Sequence, residues 1–151
     1  MARMHSGAKG VSGSKKPAGR TGHSWLSYKP KEVEMLVVKL AKEGKVPSQI
    51  GIALRDAYGI PDVKLLLKKS ITAVLKEKKL LKELPEDLMA LIKKDVALHK
   101  HNDVNKRDMT SKRGIQLTES KIKRLVKYYK KSGKVSEDWK YDPKKAGMFV
   151  E

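Results

Sequence analysis

The sequence predicts an all-α protein: a small helical domain and a long antiparallel helical hairpin, with an extended basic N-terminal tail and an aromatic-containing C-terminal tail. Three observations carry that prediction. Apolar residues recur at helical spacing, in short segments through the first half of the chain and in two longer ones in the second. Pro30, Pro47, Pro61 and Pro85 stand where helices would open, and Gly44, Gly59 and Gly133 where they would close. No segment alternates convincingly enough to read as a strand, and no internal repeat is visible.

A first helix is expected from about 30 to 43, with Val33, Leu36, Val37 and Leu40 on one face. Pro47 opens a second, in which Ile50, Leu54 and Tyr58 fall at i, i+4 and i+8 before Gly59. A third begins at Pro61 and carries Val63, Leu66 and Leu67, and Ser70 or Thr72 restarts a short fourth with Val74 and Leu75. Glu86 and Asp87 after Pro85 suit the positive end of a helix dipole, and the stripe Leu88, Leu91, Ile92 and Val96 extends that fifth helix to His99. A break is expected around the NDVNKRD segment. The sixth helix runs from Thr110 or Ser111 to Ser132, with Ile115, Ile122, Leu125, Val126 and Tyr129 on one face. Residues 134–151 hold Trp139, Tyr141, Pro143 and Phe149 among charges and read as an extended tail anchored by aromatics. The expected organisation is therefore an extension over 1–28, an N-terminal helical region over 29–80, the hairpin over 81–133 and a tail over 134–151.

Charge dominates the composition. The chain of 151 residues has 35 Lys and Arg against 17 Asp and Glu, a formal net charge of +18. Self-repulsion of that size is best tolerated when a polyanion supplies the counter-charge, either nucleic acid or an anionic membrane surface. The first acidic residue is Glu32, so Arg3, Lys9, Lys15, Lys16, Arg20, Lys29 and Lys31 precede any carboxylate. The tail also holds Gly7, Gly10, Gly13, Gly19 and Gly22, and such a composition cannot bury enough apolar surface to order itself. No cysteine is present, which excludes disulfides, thiolate metal sites and cysteine nucleophiles, and an intracellular setting fits. The basic start lacks the apolar core of a secretory signal, and no apolar run approaches the roughly 20 residues of a spanning helix.

Three segments are candidates for function. Residues 106–131 hold ten Lys and Arg against Asp108 and Glu119, and Lys121, Arg124, Tyr128 and Lys131 recur at i, i+3, i+7 and i+10. A stripe of cations around an aromatic ring suits phosphates and bases, although a charge run is often only a solvated face. His99, His101, Asp108 and Ser111 gather near the hairpin loop, where short donor-acceptor side chains fit the wide minor groove of RNA or equally an ordinary loop cap. Metal binding by the two histidines is disfavoured, because residues two apart diverge by about 200° on a helix. Hydrolytic chemistry lacks a paired carboxylate or a triad, and no phosphate-binding glycine loop occurs. The third segment, VPSQIGIALRDAYGIPDVK, has the outline of a DNA-reading helix-turn-helix, but Val63, Leu65, Leu66 and Leu67 are too apolar for an exposed groove-facing helix.

The run from His101 through Asp108, Ser111, Lys112, Arg113 and Gly114 to KIKRLVKYYKK at 121–131 resembles the universal small-subunit ribosomal protein fifteen family. MARMHSGAKGVSGS at the start, the Pro17, Ser24, Trp25, Leu26 neighbourhood, PSQIG, LRDAYGI and WKYDP are similar to its long archaeal and eukaryotic branch. The resemblance spans essentially the whole chain. It implies a helical protein of the cytoplasmic small ribosomal subunit that binds the central domain of its RNA at a three-way junction and a nearby duplex minor groove.

By the resemblance, His101, Asp108 and Ser111 read the groove. The resemblance also implies junction contacts by Tyr58, Gly59, Lys64, Arg113, Arg124 and Tyr128, and the charge pattern adds Lys112, Lys121 and Lys131 as expected backbone contacts. From the basic composition of the tail, Arg3, His5, Lys9, Lys15, Lys16, Arg20 and Trp25 are expected to be its RNA contacts. Tyr58 and Lys64 stand where the bacterial pattern has a threonine and a glutamine, and Met109 and Thr110 where the family usually has two histidines. Other small-subunit proteins would meet the tails. The protein is expected to be a monomer when free, without enzymatic activity, cofactor, metal, membrane or small-molecule substrate. The alternatives are a helix-turn-helix DNA-binding regulator and a cationic protein of membrane surfaces.

Overall fold

The structure is a computed structural model that describes Gly13, residues 25–81 and residues 83–149, without the side chains of 144 and 149. The described residues form six α-helices and one 3-10 helix, with no strand among them. The chain divides into two compact units, one ending at Lys82 and one containing Glu83 and all that follows.

The first unit contains α1 (Pro30–Lys42), α2 (Pro47–Tyr58), α3 (Val63–Leu67) and α4 (Ile71–Glu77). Each is too short to be stable alone, so both ends need partners for the backbone groups that the helix leaves open. At α1 the Glu32 carboxylate accepts from the Lys29 backbone N–H at 2.8 Å. At α3 the Asp62 carboxylate accepts from Lys64 N (3.0 Å) and Leu65 N (3.2 Å), which starts the helix two residues later than Pro61. At α4 it is Ser70, not Thr72, that caps, its Oγ taking the Ala73 N–H at 3.1 Å. Gly59 closes α2 in the left-handed region at φ 65°, and the Ile60 N–H turns back to the Leu54 carbonyl. That conformation costs a Cβ-bearing residue about 1–2 kcal/mol.

The amphipathic faces then pack on one another. Val33, Val37 and Leu40 of α1 meet Ile50 and Leu54 of α2, Val63 of α3, and Val74 and Leu75 of α4, with Ile60 at the turn. Gly51 faces α4, where an added Cβ would sit in ordinary contact 3.5 Å from the Ile71 Cδ1. Tyr28 and Tyr58 meet edge to face at 6.1 Å beside this core.

The second unit is the hairpin of α5 (Glu86–Val104) and α6 (Met109–Lys131). α5 continues about a turn beyond His99, so both His99 and His101 lie on the helix and only residues 105–108 form the link. Leu88 and Ile92 pack against Ile122, Val126 and Tyr129. The C-terminal segment folds back on this pair: Val135 and Ala146 are buried in the same core, with Trp139 and Tyr141 packed on it. The expectation of an extended tail is corrected over 143–149, which form the 3-10 helix Pro143–Phe149. No helix among the described residues is long and apolar enough to cross a membrane.

Candidate nucleic-acid interface

The far end of the hairpin is organised by Asp108. One carboxylate oxygen caps α6 by accepting from the Ser111 N–H at 2.9 Å, and the other meets His101 Nε2 at 3.0 Å. The cap, followed by the histidine contact, holds the Asp108 carboxyl below its ordinary range. His101 is fixed from its other side by Asn105, whose Nδ2 lies 3.3 Å from Nδ1 and donates to the His101 carbonyl at 3.1 Å. A neutral imidazole with its proton on Nε2 satisfies both contacts. The structure thus brings His101, Asp108 and Ser111 together and adds Asn105, which sits four residues from His101 and is legible by that spacing.

Ser111 is buried, and its Oγ has no hydrogen-bond partner among the described residues. A buried hydroxyl without a partner is unfavourable by roughly 1–3 kcal/mol. His101, by contrast, is exposed.

The stripe on α6 is solvent-facing. Lys121, Arg124, Tyr128 and Lys131 are all exposed, while Ile122, Val126 and Tyr129 on the opposite side are buried. Tyr128 is 60% exposed, although its ring lies 5.2 Å from that of Tyr129. Nearer the loop, Lys112 is half-buried and Arg113 is exposed, donating to Gln116 Oε1 at 3.0 Å. The two neighbouring tyrosines therefore differ in role. Tyr129 turns inward and donates to Asp87 Oδ2 at 2.5 Å, and burial followed by that bond pushes its hydroxyl up to about 12.

In the first unit Gly59 and Lys64 are exposed, but Tyr58 is half-buried against the aliphatic core. Its ring has a structural partner in Tyr28, and helical spacing from Ile50 and Leu54 already places Tyr58 on the packed face of α2. Val63 is buried and Leu65, Leu66 and Leu67 are half-buried in a helix of five residues, so α3 is a packed corner and no recognition helix. Trp25 is exposed. Arg3, His5, Lys9, Lys15, Lys16 and Arg20 lie outside the described residues.

A further polar cluster lies within the hairpin. Asp95 and His99 share one face of α5, and Glu119 reaches them from α6, with one donor atom from each lying within 4.8 Å of the others. The sequence reading weighs His99 with His101 and misses this grouping, although Asp95 and His99 are at i, i+4.

The residues matching the Ribosomal protein S15 family model are 69–149, and residues 1–60 match the Ribosomal S13/S15 N-terminal domain. The chain belongs to the ribosomal protein S15 family. It is also 47% identical over 150 residues to the small ribosomal subunit protein uS15 of the archaeon Methanocella arvoryzae, covering 99% of each chain. Family membership makes the chain a structural protein of the small ribosomal subunit, and so of the cytoplasmic ribosome, and not an enzyme. Binding of ribosomal RNA is general to this family. The fold agrees, being helical throughout its described elements.

Proposed function

We propose that the chain binds small-subunit ribosomal RNA at a three-way junction and in an adjacent duplex minor groove of the central domain, supporting subunit assembly. The observation that carries this reading is the division of labour along the hairpin unit. An exposed cation stripe around Tyr128 lies on α6, and the Asp108-centred trio at the loop ends in a buried, unpartnered Ser111 hydroxyl. Lysine and arginine neutralise phosphates whatever the sequence, whereas short donor-acceptor groups match 2′-hydroxyls and base edges in the shallow groove. His101, Asp108 and Ser111 are the groove readers. Gly59, Lys64, Lys112, Arg113, Lys121, Arg124, Tyr128 and Lys131 are the junction and backbone contacts, with Tyr58 positioning Gly59 from its half-buried place. The tails, with Trp25 and the basic residues before it, add RNA and ribosomal-protein contacts.

The decisive comparison is between cognate junction RNA and a random duplex of equal charge. Ser111→Ala and His101→Ala should each weaken cognate binding by roughly tenfold to a hundredfold and leave random-duplex binding nearly unchanged. Equal losses on both RNAs would refute the groove assignment. Because Ser111 Oγ has no intramolecular partner among the described residues, Ser111→Ala should not lower the melting temperature of the free protein, which separates recognition from folding.

A further inference from the structure

Asp95 is fully buried in the hairpin unit, where an unpaired carboxylate is among the least favourable groups a protein can hold. Its Oδ2 accepts from the Tyr141 hydroxyl at 2.5 Å and lies 3.6 Å from His99 Nε2. Its Oδ1 has no hydrogen-bond partner among the described residues, and neither has His99 Nε2. Glu119 Oε1 approaches the same nitrogen at 4.0 Å. Two carboxylates and an imidazole thus converge, with a buried acceptor left over and the imidazole nitrogen too far from either carboxylate for a hydrogen bond.

We infer that Asp95, His99 and Glu119 form a binding site for one divalent transition-metal ion of the Zn²⁺ class. Two ligands at i, i+4 on one helix and a third from the facing helix are the arrangement by which helical pairs hold metals. Tetrahedral bonds of about 2.0–2.2 Å put neighbouring ligand atoms roughly 3.3–3.5 Å apart, so the His99 separations of 3.6 and 4.0 Å need a small contraction, and the Asp95–Glu119 pair, within 4.8 Å, closes by movement of the partly exposed Glu119 side chain. A nitrogen and two carboxylate oxygens favour zinc over calcium or magnesium, which take oxygen alone. The fourth position is left to water. Tyr141 acts from outside the ligand set, orienting Asp95 through its hydroxyl, so the ion would tie α5, α6 and the C-terminal segment together.

The test is titration of the full chain with ZnCl2, followed by calorimetry and by the histidine ring signals in NMR. Saturable one-to-one binding is expected, with His99 ring signals shifting at neutral pH and a raised melting temperature. His99→Gln and Glu119→Gln should abolish that binding, whereas His101→Gln should retain it. Both lost ligands are partly exposed, so the apo variants should keep their helical circular dichroism, which excludes unfolding as the cause of a lost signal. Tyr141→Phe should weaken affinity by roughly tenfold to a hundredfold without removing a ligand. Absence of saturable binding, binding that survives both His99→Gln and Glu119→Gln, or binding abolished by His101→Gln would overturn the assignment. So would His99 ring signals that do not move on addition of equimolar Zn²⁺.

Discussion

The N-terminal helical unit and the hairpin unit solve the same folding problem with different chemistry. In the first, the buried side chains are aliphatic: Val33, Val37, Leu40, Ile50, Leu54, Ile60, Val63, Val74 and Leu75. In the second, the buried polar and charged residues of the described chain are found together, namely Asp95, Ser111 and Thr118. Thr118 is satisfied within its own helix, its Oγ1 donating to the Gly114 carbonyl at 2.9 Å. Asp95 and Ser111 each keep one atom without a partner. An unpartnered buried polar atom is unfavourable, so both positions hold free energy back from folding. The comparison teaches that the first unit closes its core with aliphatic side chains, whereas the second buries polar groups that its own residues leave partly unsatisfied.

The largest expected effect comes from cutting into the aliphatic core. Leu54→Ala should lower stability by about 2–5 kcal/mol through lost burial and the cavity left behind. At a temperature where the variant is still folded, its discrimination between cognate and random RNA should be unchanged, as measured by paired thermal melts and binding isotherms. A loss of discrimination at full folding would erase the distinction between the two units.

Next in size is the inward tyrosine of the hairpin. Tyr129→Phe removes the donor to Asp87 Oδ2, while Oδ1 keeps the Leu88 N–H at 2.8 Å, and losing this hydrogen bond to a charged group should cost roughly 1.5–3 kcal/mol. The same residue sets an alkaline limit. Its folded hydroxyl titrates at about 12, above the ordinary value of 10.0, so folding favours the protonated form. The associated stability is complete below pH 10 and is lost as pH rises through 12. Melts across that window should show a decline in the parent chain that is reduced in Tyr129→Phe.

A smaller change is expected at Gly59→Ala, where φ of 65° is strained for any residue with a Cβ. About 1–2 kcal/mol should be lost, with no clash to relieve, because nothing lies within 4 Å of the added carbon. The smallest stability effect should follow the triple change of Lys121, Arg124 and Lys131 to Gln, which touches exposed positions alone. RNA affinity should nonetheless fall on every sequence, and the slope of log K against log salt should flatten by about 0.7–0.9 per phosphate contact removed. An unchanged slope would mean that the stripe is merely solvated.

The sequence by itself determined the helices, their order and the cation stripe, because these rest on relations within about four residues. Pro30 and Pro47 open helices, Asp62 and Ser70 cap them, Gly59 closes one, and the 3.6-residue period separates Ile122 and Val126 from Lys121 and Tyr128 on α6. The same locality explains the corrections near the hairpin loop. α5 runs on to Val104 because the polar HNDV stretch lacks a strong breaker, and packing beside α6 carries the helix past the last apolar position. Only the tertiary structure decided which residues 20 or more positions apart would meet. Asp95 with Glu119 and Tyr141, and Asp87 with Tyr129, are contacts that no helical period encodes. They exist because the apolar seam of α5 and α6 fixes the register of the pair, and because Val135 and Ala146 draw the C-terminal segment onto it, setting the polar groups beside one another.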